Sequence, residues 1–226
     1  MLRIALLCGL LILNALACAD TEPYNRVDFQ VETDREVNND ILIANMSVDI
    51  QDKEPGRVAR LINTALNEAL KKAATFDRIK ASSGNQNTYP VFGKINQIEA
   101  WRGHGEIHLE SREFKAASEL IMQLQSSLQL SGVQFTVAPD TRSQIENELI
   151  LEAIKAFQTR AEAISHAVGA KSYKTVHFSI NSGGSSPRPV PMMRGMAMAA
   201  TAIPPPEFAG GDSRITVQIN GTIETQ

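Results

Sequence analysis

Residues 27–32, Val-Asp-Phe-Gln-Val-Glu, alternate apolar and polar side chains, the period of a half-buried strand. Asn38-Asn39-Asp40 is a turn signal. Residues 41–51 alternate again through Ile41, Ile43, Met46, Val48 and Ile50. The phase slips between Ile43 and Met46, which places a bulge near Ala44-Asn45. Two such segments joined by a turn predict a hairpin. A helix follows: Asp52 is placed to cap it, and Pro55 falls in its first turn, where a missing N–H costs nothing. Val58, Leu61, Ile62, Ala65, Ala69 and Ala73 form its apolar stripe, and Arg57, Arg60, Lys71 and Lys72 lie mostly off it. Residues 76–81 then read as a short strand, 82–85 as a loop, and 89–101 as a strand made irregular by Pro90. Gly103-His104-Gly105 reads as a bend before alternation resumes at 106–110.

A second helix is predicted over 112–128, with Phe114, Ala117, Ile121, Leu124 and Leu128 three and four apart on one face. Residues 133–137 make a short strand. The longest helix begins after Pro139, with Asp140 as its expected N-cap and Gly169 placed to end it in the left-handed conformation. Its stripe is Ile145, Leu149, Ala153, Phe157, Ala161, Ile164 and Val168; Glu146, Lys155, Gln158 and Glu162 face away. Residues 173–180 are a strand with Val176 and Phe178 on one side, and 215–223 a last strand in which Gly221 is a weak point. The Pro- and Met-rich loop 181–212 between them contains Pro187, Pro189, Pro191 and Pro204-Pro205-Pro206, which no helix or unbroken ladder accommodates. Two strands, a helix, two strands, a helix, a strand, a helix and two strands predict an α+β fold. Antiparallel sheets pack against amphipathic helices lying on one face.

The first residues set the compartment. One basic residue, Arg3, precedes a short apolar run at 4–13, and small residues follow at Ala15, Ala17 and Ala19, the pattern of a secretory signal peptide. The run is about half of what a membrane-spanning helix needs. Cleavage after Ala19 is one reading, giving a signal peptide over 1–19, a polar lead-in over 20–26 and one domain over 27–226. Lipidation of Cys18, within an imperfect lipobox starting at Ala15, is the other. That modification is the single expected route to a membrane. Both cysteines, Cys8 and Cys18, lie in this leader, so the exported chain has no thiol for a disulfide and relies on packing. The formal net charge of −3 and the lack of a basic stretch disfavour nucleic acid as a partner.

The chemistry-bearing residues form no catalytic pattern. His104 and His108 are four apart in a strand-and-bend region, where that spacing is no helical metal pair, and read as solvent-facing imidazoles. His166 near a helix C-terminus is explained by the dipole there. Glu146, Glu148 and Glu152 read as the solvated face of a helix. Gly183-Gly184-Ser185-Ser186 lacks the lysine and the following helix of a phosphate cradle. No catalytic residue and no cofactor is assigned. The unusual feature is four methionines between 192 and 198. Thioethers suit Cu(I), so Met192, Met196 and Met198 are a candidate soft-metal or small-ligand site. They also suit a role as oxidant sink, and the preferred reading is packing against a neighbouring subunit.

The order of elements and the C-terminal third resemble the SIMPL-domain family of bacterial periplasmic proteins. The stretches that carry the likeness are Leu130-Ser131-Gly132-Val133-Gln134-Phe135, the helix blocks at 152–156 and 160–164, Ala167-Val168-Gly169-Ala170-Lys171, Ile180-Asn181-Ser182-Gly183-Gly184, the Pro–Met loop and the alternating final strand. Asn38-Asn39-Asp40 stands where family members usually carry a Gly turn. The resemblance implies a periplasmic location, an α+β fold, homo-oligomers of ring or channel type, and a loose link to oxidative-stress tolerance. It supplies no biochemical activity. The expectation is an exported, non-enzymatic envelope protein that self-associates, with deletion of 186–208 abolishing higher oligomers.

Overall fold

The computed structural model describes residues 25–183, 186–187 and 208–226. The chain forms β1 (Arg26–Asn38), β2 (Ile41–Asp52), α1 (Pro55–Ala73), β3 (Ile79–Phe92), β4 (Ile98–Ser111), α2 (Phe114–Leu124), β5 (Gln129–Thr136) and α3 (Pro139–Ala167). It ends with β6 (Tyr173–Ser182), the two-residue β7 (Ser186–Pro187) and β8 (Asp212–Thr225). Two antiparallel sheets result. A terminal sheet has the order β1–β8–β6, with β7 also paired to β8. A central sheet has the order β3–β4–β2–β5.

β1 and β2 therefore do not form the expected hairpin, because they belong to different sheets. Alternation shows which side of a strand is apolar but not which strand lies beside it. Asn39 and Asp40 form the crossing, and their polar groups are built into both sides of it. The Asn39 N–H donates to Gly211 O at 2.9 Å, its Nδ2 to Gly210 O at 2.8 Å, and its Oδ1 accepts from Ser213 Oγ at 2.7 Å. Asp40 faces the other way, accepting from Ala138 N at 2.5 Å and from Thr141 Oγ1 at 2.7 Å. Asp40 thus holds the start of α3, the role expected of Asp140. Asp140 sits instead in the first turn, paired with Arg112. Asp52 likewise stands two residues outside the N-cap of α1, which is Glu54. Its Oδ1 accepts from the Glu54 N–H at 3.0 Å.

Each sheet buries one face. In the central sheet Leu42, Ala44, Met46 and Val48 of β2 and Ile107 and Leu109 of β4 meet Val58, Ile62, Leu66 and Ala69 of α1 and Ala117, Ile121 and Leu124 of α2. The β2 phase runs unbroken through Leu42 and Ala44. The expected bulge lies opposite Asn45 and Met46, but its extra residue is Ser131 on β5. On α1 Leu66 is buried and Leu61 exposed, so the stripe is one position round from its expected line. Gly103-His104-Gly105 is not a bend but the middle of β4. A Cβ on Gly103 would stand 2.4 Å from Val58 and Ile62, and one on Gly105 2.6 Å from Ile62, so the glycines let α1 settle close on the sheet. Residues 82–85 are not a loop but part of β3, which slips register between Ser83 and Gln86. Residues 89–101 are not one strand but the end of β3, a turn and the start of β4.

In the terminal sheet α3 lies over β8 and β1. Leu149, Ala153, Phe157 and Ala161 meet Val31, Ile215, Val217, Ile219 and Ile223. Phe29, Gly221 and Phe178 stand side by side across β1, β8 and β6. The Phe157 ring occupies the room above the glycine, stacked on Phe29 at 4.6 Å and tilted against Phe178 at 5.9 Å. Gly221 is therefore the seat of Phe157 rather than a weak point, since a Cβ there would lie 2.6 Å from that ring. Gly169 ends the helix at φ +81°, as expected.

Candidate functional site

The outer face of the central sheet carries a set of titratable side chains that touch one another. Period-two geometry sends His104, Glu106 and His108 of β4 to the face away from α1. The register puts Asp49 of β2 directly opposite His104, and Asn45 opposite His108. His104 bridges two carboxylates, with Nδ1 at 3.1 Å from Asp49 Oδ1 and Nε2 at 2.8 Å from Glu106 Oε1. The Glu106 hydrogen bond, with Asp49 adding to it, raises the pKa of His104 against its partial burial. The same hydrogen bond holds the Glu106 carboxyl below its ordinary value. His108 donates through Nδ1 to Asn45 Oδ1 at 2.5 Å. The two imidazoles are thus part-buried and partnered, not the free solvent-facing groups expected.

This arrangement stores charge. Both nitrogens of His104 are engaged by carboxylates, so neither meets a metal or a substrate without breaking a hydrogen bond. Among the described residues no three His, Cys, Asp or Glu side chains stand together as a metal site. Met192, Met196 and Met198 lie outside the described residues, as does Cys18. Among the described residues, no helix is long and apolar enough to cross a membrane.

Two other surfaces carry polar chemistry. Arg35 of β1 reaches Glu148 and Glu152 on α3, the latter at 2.5 Å, so these carboxylates clamp helix to strand instead of merely facing water. Beside them an open groove of about 600 Å³ runs between β1 and α3, lined by Val31, Glu32, Lys155 and Arg160 among others. His177, Asp28, Ser179 and Asn220 line an open depression of about 390 Å³ on the outer face of the terminal sheet. His166 lies in the last turn of α3, where its dipole role was expected. Asp49 and Asn45 were missed in the sequence. The alternation of β2 put Asp49 on its polar side, the expected phase slip hid the side of Asn45, and the partners of both follow only from the β2–β4 register.

Large apolar side chains gather at two exposed places. At the turn of the β3–β4 hairpin these are Phe92, Ile98 and Ile95, the last 81% exposed. Along β6 they are Val176, Phe178 and Ile180, at 43%, 43% and 38%.

The architecture defines an α+β protein of two antiparallel sheets, each covered by helix on one face and presenting a polar face on the other. Residues 27–223 match the SIMPL family, described as a protein of unknown function (DUF541), and the chain belongs to that family. No curated protein matches it. One solved structure, described as "The crystal structure of AtUAH in complex with glyoxylate", aligns at 18% identity and a TM-score of 0.26, a likeness that carries no argument. It covers 43% of this chain and 29% of that one, so the chain spans less than a third of that protein.

Proposed function

We propose that this SIMPL protein is an exported, non-catalytic component of the bacterial cell envelope that works by self-association. The observation that carries the reading is the exposure of Val176, Phe178 and Ile180 along one strand. Apolar side chains grouped on a surface favour a partner that removes them from water. The signal-peptide pattern at 1–19 supports export. The commitment of both His104 nitrogens to carboxylates supports a structural rather than a catalytic use of that cluster. Tolerance of oxidative stress is the physiological setting that the family suggests.

Light scattering on the full chain after size-exclusion chromatography tests this. The expected mass is a multiple of the protomer at micromolar concentration; a protomer mass across that range refutes the reading. Intact mass from the same sample reports cleavage after Ala19 or acylation of Cys18. Deletion of the Pro–Met loop, drawn as 188–207, separates two routes: loss of higher oligomers assigns association to the loop, and their retention assigns it to the β6 side chains left in place. Residues 186–187 pair with β8, and Phe208 packs 5.9 Å from Phe135 in the central core.

A further inference from the structure

We infer that β6 is the edge through which two copies of this chain join. Its residues 177–181 pair antiparallel with the same residues of a second copy across a two-fold axis, extending the terminal sheet. The inference rests on the self-association proposed above and names its geometry.

The sheet edges differ in how they are guarded. β1 carries Arg26, Asp28, Glu32, Asp34, Arg35 and Glu36, and charges along an edge discourage another strand from adding to it. β3 contains Pro90 and a register break, and β5 is eight residues long with its own bulge at Ser131. β6 has one charge, Lys174, and its irregularity falls between Thr175 and His177. Residues 177–182 are left regular, uncharged apart from any proton on His177, and paired on one side by β8 among the described residues.

The side chains of β6 also favour a strand beyond it. The row Phe29–Gly221–Phe178 is covered by Phe157 over its inner part, yet Phe178 remains 43% exposed at its outer end. A two-fold antiparallel pair requires one residue to face its own copy. With Ser179 on the axis, Phe178 faces the second copy's Ile180 on the α3 side, twice by symmetry. On the other side His177 faces the second copy's Asn181. Aromatic and β-branched side chains directly opposite one another are a favoured cross-strand pair. The two Lys174 ammonium groups fall at opposite ends of the joint, so no like charges meet. The product is one sheet, β1–β8–β6 continued into β6–β8–β1 of the second copy, with both α3 helices on the same face.

A crosslinking experiment decides it. In the full chain with Cys8→Ala and Cys18→Ala, Ser179→Cys places the sole thiol on the axis. There the Cα separation of an antiparallel pair, about 4.5–5.5 Å, lies within disulfide reach. Mild oxidation is expected to yield at least tenfold more covalent dimer than the same chain carrying Glu32→Cys on β1. Phe178→Lys with Ile180→Lys is expected to lower the native mass by at least half with unchanged far-ultraviolet circular dichroism. The cysteine variant leaves every apolar contact in place and decides the matter alone if the lysine pair fails to fold. Where the parent chain associates but Ser179→Cys crosslinks no better than Glu32→Cys, the β6 joint is wrong and self-association stands. Crosslinking that appears only after deletion of 188–207 shows that segment to be the occupant of β6, which also overturns the joint. A parent chain that is monomeric throughout removes both.

Discussion

Asn39 uses its whole side-chain amide at the crossing between the sheets. Truncation to Ala strands the Gly210 carbonyl and the Ser213 hydroxyl, the latter on a residue 1% exposed. A buried polar group left without its partner costs about 1–3 kcal/mol. Asn39→Ala is expected to lower stability by about 2 kcal/mol in urea unfolding, and a loss under about 0.5 kcal/mol would show that water replaces the amide. His104 gives a pH-dependent counterpart. Its folded pKa lies above the ordinary 6.5, so its contribution is complete below that pH and fades as pH rises through the raised value. Glu106 lies below its ordinary 4.5, so its contribution is complete above that pH and fades as pH falls. The triad is most stabilising between the two. His104→Gln is therefore expected to cost up to about 1 kcal/mol at pH 5.5 and measurably less at pH 8.5. An equal cost at both pH values would mean the imidazole acts by shape alone.

At the scale of elements, the glycines of β4 set how closely α1 packs. Gly105→Ala pushes a methyl into Ile62 and Leu66, so a loss of about 1–3 kcal/mol is expected. Gly132→Ala in β5 meets nothing within 4 Å and is expected to change stability by less than about 0.5 kcal/mol. Thermal unfolding of the two variants side by side checks the contrast, and equal shifts would sink it. The same glycines show why part of the fold was hidden in the sequence. Gly signals a turn by local chemistry, whereas close approach of a helix depends on residues some forty positions away. The helices were legible because their stripes are local: Val58 with Ile62, Ala117 with Ile121, and Leu149 through Ala161 all face a core. Strands β1, β2, β5, β6 and β8 were legible as strands but not in their partners, whereas β3 and β4 were divided wrongly at 82–85, 89–101 and 103–105. At the candidate site the expected bend at Gly103-His104-Gly105 hid the shared strand face of His104 and His108. What filled the gaps between them, Asp49 and Asn45 from β2, required the register.

For the whole molecule, the order of strands sets the order in which structure can form. The terminal sheet pairs the first described strand with the last, for instance Arg26 with Glu224 and Asn38 with Asp212. The whole central sheet is threaded between them. Closing so long a loop from an open chain carries an entropic penalty before any contact offsets it. The central sheet contains a local hairpin, β3–β4, whose turn is closed by the Gly93 N–H donating to Gln97 O at 2.9 Å, and α1 is next to it in the chain. Once β2, β4 and β5 have assembled, Asn39 and Asp40 lead out from the start of the inner strand β2, with Asp40 bonded to the start of α3. Folding of the central sheet thereby brings β1 and α3 together and shortens the effective loop that β8 must close. Non-local pairing of this kind is slow relative to local pairing. In refolding with pulsed hydrogen exchange, amides of β3, β4 and α1 are expected to gain protection before those of β1 and β8. Asp40→Ala is expected to slow the second phase more than the first. Protection of β1 and β8 in the same phase as the hairpin, or ahead of it, would mean the terminal sheet closes without the central one as its template.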